Sequence, residues 1–336
     1  MNKKWWLRVG GSVALLSFVG WWTDWHRVGE AFQRLDWRFW LAALALYVAT
    51  QVVSTWRWRM FARELGLGGT FREYLSYYFV GMFFNLVLPT SVGGDVVRAW
   101  YLAHRPGPKT GQRMPAFVSV LADRVSGVVV LAFVACIATA LCPIALPRVI
   151  TYTVIGVGAA AAAGVVGLPV LNWLLHQPQF ATKRLHHLQR LTAGGMVYYR
   201  NRRLIARTTA ISVVVQVNSV IVMALIGLGL GLPVPPLYYG ILMPLMTLLT
   251  LLPVSVNGVG LREMSTVLLL KQLPATPVNE AEAVTLAFLL FVAQSAAALV
   301  GIIPYLAGGL QHFDAAAAEK ESKEEEEEEP QPIAAA

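Results

Sequence analysis

Two stretches decide how this chain is read: Leu88-Pro89-Thr90-Ser91-Val92-Gly93-Gly94-Asp95-Val96-Val97-Arg98 and Leu252-Pro253-Val254-Ser255-Val256-Asn257-Gly258-Val259-Gly260-Leu261-Arg262. Six of the eleven aligned positions are identical. In a chain this apolar such a match arises by chance about once, so identity alone carries little and placement carries more. Each stretch closes an apolar run, Tyr74 to Leu88 and Leu237 to Leu252, of about 15 residues, where crossing a hydrocarbon core takes roughly 18. Each is followed by a short, partly charged segment, Asp95 to Ala103 and Val259 to Leu270. The pattern predicts two re-entrant helical hairpins, stopped by Pro89 and Pro253 and turned by Gly93-Gly94 and Gly258. Irregular backbone is tolerated at membrane depth only where it is buried in protein or lines a wet cavity, so the hairpin tips predict a cavity.

Outward from the hairpins, six runs are long enough to span: Leu7 to Trp22, Phe39 to Trp56, Met114 to Cys142, Ile150 to Leu175, Thr208 to Gly231 and Ala281 to Leu306. The first has the basic flank of a signal peptide, but it runs into Trp21-Trp22-Thr23-Asp24-Trp25 instead of a small-residue cleavage site. Such an aromatic cluster suits a membrane interface, so it is read as a transmembrane helix. Each hairpin then follows two spans and precedes one, and the second enters from the opposite face. The expected fold is an all-α polytopic membrane protein, six transmembrane helices plus two re-entrant hairpins in an inverted-topology repeat with halves at about 1–144 and 145–312.

Composition agrees. Of 336 residues, 56% are hydrophobic and 14% charged, with mean hydropathy +0.56, which excludes an ordinary soluble protein. The net charge of +8 divides into a tail, residues 314–336, with nine acids against Lys320 and Lys323, and a body of +15. In a membrane protein that excess reports cytoplasmic loops rather than nucleic acid. With two hairpins and a cytoplasmic N-terminus, 20 bases lie inside and six outside; with both stretches as full spans, the division is 10 against 16. The asymmetry favours hairpins. The tail, with Glu324 to Glu329, reads as disordered and cytoplasmic. The membrane domain is residues 1–313. The basic segment Lys183 to Arg207 reads as a loop against anionic headgroups, the Ala159 to Gly164 run as a packing face, and Cys136 and Cys142 as core residues facing apart.

Chemistry concentrates at the hairpins. The half-helix after each turn offers free N–H groups and a positive dipole end to an anion, and Arg98 and Arg262, one turn inside, offer the forked donors that suit phosphate. Asp95 can cap its half-helix and pair with Arg98 at i+3, and Arg262 and Glu263 can form structural pairs. Asp123-Arg124 sits about ten residues inside a long apolar helix, where charge is expensive and usually functional. Asn85, Gln216, Asn218 and Gln294 read as interhelical hydrogen-bonding groups. No nucleophile–base constellation, metal-ligand spacing or nucleotide motif stands out, so no catalytic residue, metal or cofactor is expected.

Three blocks occur together: Phe84 to Arg98, then Asp123-Arg124-Val125-Ser126-Gly127, then Leu252 to Glu263. In order and spacing they resemble the lysylphosphatidylglycerol synthase transmembrane family, also called flippase-like. The resemblance covers about residues 5 to 310. It includes the membrane region of the multiple peptide resistance factor, which is implicated in moving aminoacylated phospholipid between leaflets. By motif position it implies Asn85, Gly93, Gly94, Asp95, Arg98, Asp123, Arg124, Asn257, Gly258, Arg262 and Glu263 as cavity residues, with Ser91 and Ser255 at the turns as further substrate-binding positions. After Leu310 come 26 residues of acidic low complexity, so the membrane module without its acyltransferase is expected.

The resulting expectation is a flippase-like transporter in a bacterial-type plasma (inner) membrane, both termini cytoplasmic, moving an anionic or zwitterionic lipid headgroup between leaflets. Its partner is a phospholipid or lipid-linked phosphate, with a homo-oligomer or a neighbouring synthase as further partners and no nucleic acid. Without a nucleotide motif, movement is passive or coupled to an ion gradient, with Asp95 or Asp123 as proton carrier. The alternatives are a membrane-embedded transferase on a lipid-linked substrate, with one of those aspartates as base, and a non-transporting scaffold or regulator of a lipid or glycan synthase.

Overall fold

A computed structural model describes residues 25–87, 93–105, 112–142, 146–177, 185–251, 258–272 and 278–306. Among these residues the structure is entirely helical. In chain order the helices are α1 (Trp25–Gln33), α2 (Trp37–Glu64), α3 (Phe71–Val87), α4 (Gly93–Ala103), α5 (Arg113–Leu141), α6 (Arg148–Leu175), α7 (His186–Arg200), α8 (Arg202–Gly229), α9 (Pro236–Thr250), α10 (Leu261–Lys271), α11 (Glu280–Leu299) and α12 (Ile302–Leu306). Five helical stretches are long and apolar enough to cross a membrane: α2, α5, α6, α8 and Glu280–Leu306, which takes in α11 and α12. They match five of the six expected spans, and the sixth, Leu7 to Trp22, lies outside the described residues. So do the acidic tail, Pro89, Pro253, Ser91, Ser255 and Asn257.

The two short apolar runs form α3 and α9, 17 and 15 residues long, and the partly charged segments after them form α4 and α10, 11 residues each. The order long helix, short helix, shorter helix, long helix therefore occurs twice, at 37–141 and 202–299. Contacts repeat with it. α3 packs on α4 as α9 does on α10, α4 on α5 as α10 on α11, and α2 on α3 as α8 on α9. The halves interlock reciprocally, since α3 packs on α11 while α9 packs on α5, and α2 packs on α11 while α8 packs on α5. The equivalent helices α2 and α8, both 28 residues, make the most extensive helix pair and form the joint.

Polarity is arranged inside out. Val149, Tyr152, Val166, Trp173 and Ile303 are exposed on the outside, whereas Arg57, Asp95, Arg98, Asp123, Arg262 and Glu263 are buried. An aqueous protein would invert this; a hydrocarbon surround makes it favourable. The aromatic residues Trp58, Tyr74, Tyr77 and Tyr101 pack the first half, and Tyr238, Tyr239, Met223 and Leu242 the second.

Three expectations are corrected here. The small-residue run does not pack as a face: Ala159, Ala160, Ala163 and Gly164 are exposed, and α6 packs through Ile150, Val154 and Gly158, the last against Cys136. The basic segment is not a loop, because within it the described residues form α7 and the start of α8. Asn201 ends α7 and caps α8, its side-chain oxygen accepting from the Leu204 amide at 3.0 Å. Finally, Arg57, Arg98 and Arg262 are buried in the membrane domain rather than loop bases; removing them leaves the asymmetry at 18 against five.

Candidate functional site

The polar interior contains a cavity of about 350 Å³, lined from both halves by α2 to α5 and α8 to α11. Its first-half wall begins with a glycine contact. An added Cβ on Gly94 would lie 1.8 Å from the Gly81 carbonyl oxygen, so α3 and α4 cross backbone to backbone. That closeness lets the Gly94 amide donate to Asn85 Oδ1 at 2.8 Å. The second half repeats the arrangement with other residues: an added Cβ on Gly258, whose φ is +73°, would meet the Thr250 Cβ at 2.7 Å. Gly258 thus serves the turn expected of it, while Gly94 serves close approach.

Above this crossing lies a chain of ion pairs. Asp123 on α5 accepts from Arg57 Nε at 2.8 Å through one oxygen and from Arg98 Nη1 at 3.3 Å through the other. Asp95 on α4 accepts from Arg124 Nε at 2.7 Å and Nη2 at 3.1 Å, and one of its oxygens lies 3.2 Å from Arg98 Nε. Arg57 also donates to Ser212 Oγ at 2.8 Å, which ties the network to α8. Arg98 lies between the Trp58 and Tyr78 rings, 5.1 Å from each centroid, and Trp58 is fixed in turn by donating to Ser119 Oγ at 3.1 Å. Asp123 and Arg124 do not pair with each other. As neighbours on one helix they diverge by about 100°, and each reaches a different partner.

The second-half wall is sparser. Arg262, the second residue of α10, lies 5.0 Å from the Phe291 centroid and faces the cavity. Glu263 turns the other way and accepts from the Gly260 amide at 2.7 Å, capping its own helix. The amides beside the two turns, expected as an open anion cradle, are thus partly claimed: Gly94 by Asn85, Gly260 by Glu263. Among the sequence-derived candidates, Asn85, Gly94, Asp95, Arg98, Asp123, Arg124 and Arg262 come together on the cavity wall. Gly258 supports the wall, Gly93 starts α4, and Glu263 stands behind it.

Sequence reasoning missed Arg57 and the stripe that carries it. Tyr47, Thr50, Gln51, Ser54 and Arg57 recur at helical spacing along one face of α2, and all line the cavity. Gln216 and Ser219 line it from α8 at the same offset of 165 residues that relates the bounds of α2 to those of α8. The Gln-x-x-Ser pair at 51/54 and 216/219 was a legible second trace of the repeat.

Fold and site together define a polytopic helical membrane protein with a charged cavity between two similarly built halves. The chain belongs to the family described as the lysylphosphatidylglycerol synthase TM region, which it matches over residues 5–301. It is also similar to a UPF0104 membrane protein of Pyrococcus horikoshii, 27% identical over 128 residues, a match that covers 38% of this chain and 37% of the archaeal protein.

Proposed function

We propose that this protein is a lipid transporter that binds an anionic or zwitterionic headgroup in the cavity and exposes it alternately to the two leaflets. The observation that carries the reading is the placement of Arg98 and Arg262, one from each half at matching positions, on the wall of one cavity. In this reading α3–α4 and α9–α10 are re-entrant hairpins entering from opposite sides, six helices span a plasma membrane of bacterial type, and both termini are cytoplasmic. A two-fold arrangement supports alternating access because each half can close in turn.

The transferase alternative needs an aspartate with a free oxygen as base. Asp95 and Asp123 have every carboxylate oxygen engaged by guanidinium groups, which favours transport. The decisive measurement is translocation of a fluorescent phospholipid in proteoliposomes. Arg98→Ala and Arg262→Ala are expected to abolish it with the protein still folded. Wild-type rates in both variants would refute the proposal. Lipid composition unchanged on deleting the gene, with an altered leaflet distribution, is the expected cellular counterpart.

A further inference from the structure

α2 presents two opposite faces. Tyr47, Thr50, Gln51, Ser54 and Arg57 line the cavity, whereas Val52, Trp56, Arg59 and Arg63, spaced four, three and four residues apart, form a stripe on the other side. Trp56 is 54% exposed, although its neighbours Arg57 and Trp58 are buried. Across from the stripe stands Phe71, the first residue of α3, and Val52, Val53, Trp56, Arg59 and Phe71 line a groove of about 280 Å³. Groove and cavity share no lining residue.

The groove changes chemistry along its length. Val52 and Val53 belong to the apolar run of α2, which ends at Trp56, a residue type that suits the membrane interface. Arg59 follows within one turn. Its described acceptor is the Gly69 carbonyl, 3.4 Å from Nη2, while its Nε is buried with no acceptor among the described residues. A guanidinium carries five N–H donors, so this one is short of partners. Arg63, one turn further along α2, and Arg72, next to Phe71, are exposed at the same end. Two acids lie nearby and are bound elsewhere: Glu64 accepts from Asn201 Nδ2 at 2.9 Å, and Glu73 from Arg105 Nε at 2.9 Å and the Thr70 amide at 2.6 Å. Both keep their charge, yet with Arg105 counted this end still holds four bases to two acids. No described carboxylate pairs with Arg59, Arg63 or Arg72.

We propose that this groove binds an anionic phospholipid of the surrounding bilayer at a site separate from the cavity. An acyl chain lies along Val52, Val53 and Phe71, the glycerol level falls at Trp56, and the phosphate accepts from Arg59, with Arg63 and Arg72 adding attraction. A zwitterionic lipid fits the apolar part equally well but brings its own cation towards three arginines. The lipid is held on the outer face of the helix whose inner face carries Arg57, and it is not the transported substrate.

The test is native mass spectrometry of the full-length protein in detergent, titrated with dioleoyl phosphatidylglycerol or dioleoyl phosphatidylcholine. The wild-type protein is expected to bind the anionic lipid at least about tenfold more tightly than the zwitterionic one. Arg59→Gln removes the headgroup contact and Val53→Trp fills the chain path; each is expected to weaken phosphatidylglycerol binding about tenfold, whereas Arg262→Gln, on the cavity wall, leaves this site unchanged. Wild-type affinity in both Arg59→Gln and Val53→Trp overturns the proposal, as does equal affinity of the wild-type protein for the two lipids. Loss of the bound lipid in Arg262→Gln alone assigns it to the cavity and also overturns the groove site. Should Arg59→Gln fail to fold, Val53→Trp decides by itself. A change from dimer to monomer in Val53→Trp would give the groove to a second copy of the chain, again overturning the proposal.

Discussion

The two halves share a scaffold and differ in charge. Gln51 and Ser54 match Gln216 and Ser219, Gly94 against Asn85 matches Gly258 against Thr250, and Arg98 matches Arg262. Where the first half has Arg57 and Asp95, the corresponding residues of the second are Val222 and Val259, and α11 contributes Phe291, Gln294 and Ser295 to the wall where α5 contributes Asp123 and Arg124. The same frame is therefore held together on one side by ion pairs and on the other by apolar packing. Backbone geometry sets which positions face the cavity, and the side chains there can be exchanged as long as each set satisfies itself.

The comparison breaks most visibly at Asp123. Asp123→Ala leaves Arg57 without a carboxylate and Arg98 with Asp95 alone, at an expected cost of about 3–5 kcal/mol. Thermal unfolding of the purified protein reads this directly, and an unchanged melting temperature would mean the ion pairs do not hold the first half. Next comes Gly94→Ala, which forces α3 away from α4 and should cost about 1–3 kcal/mol in the same assay. Retention of the wild-type melting point would show that the crossing is looser than 1.8 Å implies.

A sharper probe gives the second half what the first has. Val259→Asp places a carboxylate three residues before Arg262, as Asp95 stands before Arg98. Occupying that edge should lower headgroup translocation about tenfold, equivalent to about 1.4 kcal/mol, while the protein stays folded. Undiminished translocation would show that Arg262 need not be free. The smallest effect is expected at Phe291→Leu, where loss of the ring face under Arg262 should cost about 1 kcal/mol of stability. Circular dichroism melts can resolve it, and a loss as large as that of Asp123→Ala would contradict the division between the halves.

Much of this was legible in the sequence, because lipid exposes the physics. A helix bounded by hydrocarbon must be apolar over its whole length, so the spans at 39–56, 114–142, 150–175, 208–231 and 281–306 announce themselves, and the 15-residue runs stand out by falling short. Legibility failed where helix and hydrocarbon part company. α2 continues to Glu64, eight residues past the apolar run that ends at Trp56, so Arg57 reads as a loop base although its side chain turns inward. Pairing was hidden for a different reason: Asp95–Arg124 and Arg57–Asp123 join residues 29 and 66 apart in sequence, and spacing says nothing about such contacts. Small residues misled as well, since the Ala159 to Gly164 run looks like a packing face and lies on the outside of α6.

The ion network has a further consequence once charges are counted by half. Three arginines and two aspartates in the first half leave one positive charge over; in the second, Arg262 alone supplies the same. Different inventories thus leave the same charge on the cavity wall of each half, and the buried Glu263 carboxylate behind Arg262 adds a negative group on the second side.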